Sequence, residues 1–523
     1  MSKMKIGLEI HQQLEHTTKL FCLCAARLHS EDTPDLLIRR RFNLISGAYD
    51  QVDQTLFSQV VERPIEYRAV EQKICLIERD EQPPLRINPD AWRTALMIGM
   101  MFDCAIVRSQ RIMRKIIVDG SLPSGFQRTI LLGFGGTLKR AGKDYQIERI
   151  FLEEDSGRRL NEQSYALDRV GIPLLEIVTA PTIRSPEEAI EVAQAITETI
   201  FFVPGVARHL GAVRQDLNLS TDQFPRCELK GIGSLTVLRK AIEREVERQH
   251  QMISLLEQIE IRGDQIRLLR SPDPAEKRLL HQLLLEHDPE QDPFLFELVE
   301  GAELSSSKLV AYLETVRTQG DTRQVQADGS SVYLRKISSR TRMYPETDLT
   351  VLDVSEPLLD QIRSSCPLTF EQAIRSITDQ GVGTETARSI VIHGLFELYE
   401  RLVASHSPLR VTNFLLNFVQ QQRVRPSIET SELFLTLRLS VRQMQQAYDR
   451  FGSNPMKIIE IVEMDQSNER WVEIEQLLDL MLRASTKAPH NPTVQKGQLL
   501  RLVIERVPFV DIERLVEALD RRL

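Results

Sequence analysis

The sequence predicts an α/β domain followed by an all-helical region, and three observations carry that expectation. Short strand-like runs with helices between them fill the first two-thirds of the chain. From Asp353 onward the apolar residues recur at helical spacing instead. The length, 523 residues, is enough for two to four domains with sizeable cores. Apolar residues make up 42% and charged residues 27%, the mix of a soluble globular protein. A net charge of -8 gives no global attraction for nucleic acid, which leaves only local basic faces for that purpose. The N-terminus lacks the apolar core and cleavage pattern of a signal peptide, and no window reaches the roughly 18 apolar residues of a membrane span. A cytoplasmic protein is expected.

Strands are expected at 5–10, 147–154, 172–179, 213–220 and 226–230. Ser185-Pro-Glu-Glu188 starts a helix: the serine caps, the proline takes the first helical position, and Glu188 closes a capping box. Ala189, Val192, Ala193, Ile196 and Ile200 mark its apolar face. A second helix runs from about Leu235 to Glu260, with Leu238, Ile242, Val246 and Ile253 facing inward. Residues 272–320 read as helical and polar, interrupted by Pro289, Pro293 and Ser305-Ser306-Ser307, and are marginal as an independent domain. Ser331–Arg335 returns to strand. Helices follow at 369–379, 384–404, 410–422 and 440–451, and in the tail from about Ser453, where Glu513, Glu517 and Arg521 form a solvated face. The chain so divides into 1–350, 351–452 and 453–523.

The chemistry is read from strand alternation. Ile6, Leu8 and Ile10 share one face of the first strand, and Glu9 and His11 share the other, either as ligands for a cation or as a solvent-facing side. In 213–220, Arg214, Asp216, Asn218 and Ser220 line up opposite Val213, Leu217 and Leu219. That row suits a phosphate-and-metal site, with Arg214 on phosphate oxygens and Asp216 on Mg²⁺, or a cross-strand Arg–Asp network. Glu176 lies in the apolar run 168–181, where a carboxylate costs several kcal/mol unless a cation, a donor or a metal meets it. It is a paired structural ion or part of a site. Leu152-Glu-Glu-Asp155 ends a strand with three acids, a solvated turn on its own and a ligand source beside a metal. Gly133-Phe-Gly-Gly136 fits a turn as easily as a phosphate loop. The basic groups at 39–41, at Arg108, Arg111, Arg114 and Lys115, and at Arg335, Lys336, Arg340 and Arg342 read as solvated faces. Six cysteines are too few for a disulfide framework, and Cys22-x-Cys24 would need two more ligands to hold zinc, so free thiols are the simpler reading. P-loop and nucleophile-elbow patterns are absent.

A series of motifs in order carries a resemblance. They are Gly7-Leu-Glu-Ile-His-Gln-Gln-Leu14, Lys19-Leu-Phe-Cys22, Ser124-Gly-Phe-Gln-Arg-Thr129, Leu152-Glu-Glu-Asp155, Asp168–Pro181, Arg214-Gln-Asp-Leu-Asn-Leu-Ser220, Glu228-Leu-Lys-Gly231 and Arg342-Met-Tyr-Pro-Glu-Thr-Asp348. Together they resemble the GatB/GatE family of tRNA-dependent amidotransferase subunits, on the archaeal E-type side. The resemblance implies a cradle-shaped α/β catalytic domain, a helical domain and a small helical tail. It implies a carbon–nitrogen ligase that uses ATP and Mg²⁺ to phosphorylate the glutamate side chain of Glu-tRNA(Gln). Ammonia from an asparaginase-like or other supplying subunit then gives Gln-tRNA(Gln), within a hetero-oligomer. Carried over, Glu9, His11, Glu154, Glu176 and Asp216 are catalytic. Glu9, His11, Glu176 and one of Glu153 and Glu154 face the metal. Arg128, Arg214, Asn218 and Lys230 bind ATP or phosphate. E-type subunits carry an inserted domain like one in bacterial aspartyl-tRNA synthetases, and here only the stretch 272–320 stands in that place. Two other readings therefore remain: a ligase amidating a different carboxylate, and a non-catalytic tRNA-binding scaffold.

Overall fold

The computed structural model describes residues 3–28, 33–42, 64–140, 142–161, 163–290, 298–337, 343–437, 439–466, 468–485, 499–504, 506–508 and 510–522. Arg340 and Arg342 lie outside the described residues. The chain forms two compact units, 1–369 and 370–523.

The first unit is built on one large sheet. Its strands are β1 (Met4–Gln13), β2 (Ile112–Ile116), β3 (Phe126–Arg140), β4 (Lys143–Glu154), β5 (Pro173–Thr179), β6 (Val213–Thr221), β7 (Phe224–Ile232), β8 (Asp321–Val325), β9 (Ser331–Lys336) and β10 (Met343–Pro345). Their order across the sheet is β9-β8-β7-β6-β1-β5-β4-β3-β2-β10, and a two-residue strand, Ala105–Ile106, pairs with β3. Every pair is antiparallel except β7 with β8. The alternation read from sequence holds. Ile6, Leu8, Ile10, Leu175, Ile177, Leu217 and Leu219 are buried in one core. That core is covered by α1 (Pro89–Met101), α2 (Pro186–Ile200) and the first half of α3 (Leu235–Glu257). Ser185 caps α2 as expected, its hydroxyl accepting from the Glu188 amide, but Glu188 closes no capping box, because its carboxylate accepts from the Arg184 amide instead.

The sheet's two edges lie close along the chain: β9 ends at Lys336 and β10 begins at Met343. Ten flat strands at about 4.8 Å would span roughly 43 Å. The connecting residues reach at most about 25 Å. The sheet therefore curls, and it curls about its polar face, because residues of both edges line one cavity there.

Two expectations change. The second half of α3 leaves Val246 and Ile253 only partly buried and instead buries Glu245, Arg248, Gln249, Met252 and Leu255. The charged groups are tolerated because Arg248 pairs with Glu245 at 2.8 Å and with Asp321 at 3.5 Å. The stretch 272–320 is not merely polar. It forms α4 (Pro274–His287) and α5 (Ser307–Gln319), and its Glu303–Ser305 joins a three-stranded sheet with Ile259–Arg262 and Gln265–Leu268. Leu279, Leu280, Leu283, Leu284, Leu309 and Leu313 build a second core with Met252 and Leu255. Their contribution is hidden in an average because the opposite helix faces are strongly charged. Arg323, fully buried, bonds Asp321 at 3.1 Å and Glu286 at 2.9 Å and so ties β8 to α4.

Gly133-Phe-Gly-Gly136 lies within β3 and is no phosphate loop: a Cβ at Gly136 would run into Cys104 Sγ and the Phe102 carbonyl. Gly320, which turns α5 into β8, has φ +72°, and a Cβ there would collide with the Arg226 carbonyl. Gly320→Ala is expected to cost at least about 1–3 kcal/mol from backbone strain alone, seen as a lower denaturation midpoint.

Among the described residues the second unit contains helices and no strand, including Phe370–Thr378, Thr384–Ile392, Phe396–Val403, Val441–Phe451 and Ile512–Asp520. Trp471, Ile474, Leu478, Val503, Leu515 and Leu519 form a core in its last part. No described helix is long and apolar enough to cross a membrane.

Candidate functional site

The polar face of the sheet holds a cavity of about 820 Å³. That is the size of a site for a ligand such as a nucleotide. β1 contributes Glu9 and His11, β5 Glu176, β4 Glu153, β6 Arg214, Asp216 and Asn218, β7 Glu228 and Lys230, and β2 Lys115. Those on β1, β4, β5, β6 and β7 reach the cavity because they alternate with residues that pack in or against the core behind; Lys115 alternates with Ile116 of a small separate cluster.

The acids fall into two groups. His11, Glu153 and Glu176 offer donor atoms that all lie within 4.8 Å of one another, and so do Glu9, Asp216 and Glu228. His11 stands opposite Glu176 in the β1–β5 register, with Nε2 3.3 Å from its carboxylate. Lys115 Nζ lies 3.5 Å from Glu153 and 3.8 Å from Glu176. Thr129 donates to Glu153 at 2.9 Å. In the second group Lys230 bonds Asp216 at 2.8 Å and Glu228 at 2.7 Å, the Gly231 amide donates to Asp216, and Asn218 donates to Glu9 at 2.7 Å.

The electrostatics follow from this crowding. Burial pushes the Glu153 carboxyl up, and burial with Glu176 nearby raises Glu9 to about 7. Burial also acts on Glu176, but Lys115 and His11 outweigh it and hold Glu176 ionised. Burial opposes a charged His11, yet Glu176 carries it up to about 9. Burial likewise works against Glu228, and Lys230 holds it down at about 2.

Arg214 lines the cavity while bonded to Asp155 at 2.8 and 3.4 Å. Asp155 is fully buried and also accepts from Gln13 at 2.6 Å. The Arg–Asp network considered from the sequence thus exists, but its carboxylate is Asp155; Asp216 is partnered by Lys230.

Two expected site residues lie elsewhere. Glu154 and Arg128 do not line the cavity. Glu154 follows Glu153 on a strand and points to the other face, where Arg128 reaches it at 3.2 Å and Glu346 at 2.8 Å. Glu346 also pairs with Arg114. Glu153 is therefore the acid that joins His11 and Glu176. Glu9 faces the same cavity but groups with Asp216 and Glu228.

Lys115, Glu228 and Asp155 are among the cavity residues that reading single strands missed as site groups. Glu228 and Asp155 stood in recognised motifs, and alternation from Lys230 and Glu153 reaches both. Away from the cavity, Cys22 and Cys24 meet Cys75 and Glu78, with donor atoms within 4.8 Å of one another. These are the two further groups that the pair lacked in sequence, and three sulfurs and a carboxylate suit a tetrahedral ion. Glu78 is also paired with the buried Lys19, so a bond from it to an ion would compete with that pair.

A curled sheet, antiparallel except for one pair, with helices behind and paired acids, lysines and an arginine in front defines a class. The model of the GatB/GatE catalytic domain matches residues 4–360, and the chain belongs to that family. Similar proteins include the E-type chain of the glutamyl-tRNA(Gln) amidotransferase of Pyrobaculum calidifontis, 29% identical over 99% of this chain and 94% of the relative. The corresponding chain of Pyrobaculum islandicum is 30% identical over 82% and 84%, and that of Saccharolobus islandicus 28% over 98% and 90%. The first alignment runs over 604 positions against the 523 residues of this chain, so that relative carries additional residues.

Proposed function

We propose that the chain is the ATP- and Mg²⁺-dependent subunit of a Glu-tRNA(Gln) amidotransferase. In this reading it forms an acyl phosphate on the glutamate side chain and replaces the phosphate with ammonia from a partner subunit. The carrying observation is the convergence of His11, Glu153 and Glu176, beside Glu9, Asp216 and Glu228, in one cavity that also holds Arg214, Lys115 and Lys230. The names of the relatives supply the substrate.

A carboxylate-rich set with one imidazole fits a divalent cation such as Mg²⁺. His11, Glu153 and Glu176 would hold it, and it would neutralise phosphate charge. The chain's own groups bind and orient. Arg214, fixed by Asp155, offers its guanidinium to phosphate oxygens. Asn218 and Thr129 hold Glu9 and Glu153 in place. Phosphoryl transfer asks chiefly for positioning and charge stabilisation, which this set supplies.

The test supplies Glu-tRNA(Gln), ATP, Mg²⁺ and an ammonium salt to the purified chain and follows Gln-tRNA(Gln). Product dependent on all four supports the reading. ATP hydrolysis that needs a different carboxylate would move the substrate. Absence of ATP and Mg²⁺ binding would leave a scaffold.

A further inference from the structure

The two lysines of the cavity are held differently. Lys230 lies at 2.8 and 2.7 Å from its carboxylates, the lengths of charge-assisted hydrogen bonds. Lys115 lies at 3.5 and 3.8 Å from Glu153 and Glu176, too far to be fixed by either. Its ammonium neutralises both without being locked to them. Those two carboxylates are also the two groups that converge with His11. A divalent cation bonded to them at about 2.0–2.6 Å takes over the charge that Lys115 now compensates. Two cations cannot both be compensated by that one pair of acids.

We propose that Lys115 is an exchangeable counter-ion: it neutralises Glu153 and Glu176 while the His11–Glu153–Glu176 set holds no ion, and leaves when a divalent cation enters. Its flexible stem then carries the ammonium to the anionic substrate in the same cavity. Lys230, anchored by two short bonds, stays where it is. This inference rests on the cation site of the proposed function and adds the group that regulates its occupancy.

The experiment titrates Mn²⁺ alone into the nucleotide-free full chain by electron paramagnetic resonance, comparing wild type with Lys115→Met. Removing the competing charge should tighten Mn²⁺ binding about tenfold, a change of the size outer groups exert on metal sites. Turnover with ammonium should fall at least about 10²-fold. A lysine that only supports the fold gains no metal affinity, and one that holds the acids in position loses it. Unchanged or weaker Mn²⁺ binding in Lys115→Met overturns the proposal. If the methionine variant folds poorly, as a thermal melt would show, Lys115→Gln makes the same comparison. The two readings separate cleanly. Tighter Mn²⁺ binding without any amidation by the wild type leaves the counter-ion in place and removes the amidotransferase reaction.

Discussion

Glu176→Gln is expected to slow turnover by orders of magnitude while leaving the first unit folded. Glu176 stands between His11 at 3.3 Å and Lys115 at 3.8 Å, and it is one of the three groups able to converge on a cation. The amide keeps the shape and loses the charge. Removing one such charge from a site of this kind costs about 10²–10³ in rate. The fold loses little, because Leu175 and Ile177 on either side stay buried in the core, Glu153 still faces Lys115, and Glu153 and Asp216 still face His11. The check pairs ammonia-dependent Gln-tRNA formation with a thermal melt. A midpoint within a few degrees of wild type, beside lost activity, is the expected result. A large fall in the midpoint would make Glu176 a structural ion.

Arg128→Met is expected to do the reverse. Arg128 is buried and bonds Glu154 at 3.2 Å and Glu346 at 2.8 Å, away from the cavity. Its loss leaves two buried acids short of a partner, which costs about 3–5 kcal/mol. The KM for ATP of whatever fraction remains folded should not move. A raised KM with unchanged stability would restore the phosphate role. The same cluster sets an acid limit. Burial pushes Glu346 up, but Arg114 and Arg128 together hold it at about 2, against an ordinary 4.5. A carboxyl depressed in the folded state gives stability that is present above about pH 4.5 and is lost as pH falls through about 2. Glu346→Gln should therefore flatten the fall in denaturation midpoint across that window.

Much of the site was legible in single strands. The period of two in β1, β5 and β6 aims Glu9, His11, Glu176, Arg214, Asp216 and Asn218 at one face without any knowledge of pairing. Glu153 and Glu154 show where that argument stops. Alternation allows only one of them to face the cavity, and which one depends on the register with β5, where Glu176 pairs with Phe151. Register is a property of the neighbour strand. Lys115 sat in a basic run beside Arg114, yet the two point to opposite faces, one into the cavity and one to Glu346. Cys75 and Glu78 are about fifty residues from Cys22 and Cys24, and no local pattern joins them. The helices of 272–320 were visible, but their core was not, because it forms only against the end of α3 and a three-stranded sheet.

Chain order gives the curled sheet a history. Strands β1 to β7 all come from residues up to 232, whereas both borders are made last: β8 and β9 cap one side from 321 to 336, and β10 covers β2 on the other from 343. A nascent chain emerging from the ribosome therefore presents two open strand edges, β7 and β2, until roughly its 345th residue is out. Open edges recruit other strands, so this interval is when the protein is most exposed to aggregation. A ribosome stalled shortly before that point should hold a sheet without a finished cavity, unable to bind the nucleotide proposed above. One stalled well beyond it should hold a sheet that binds.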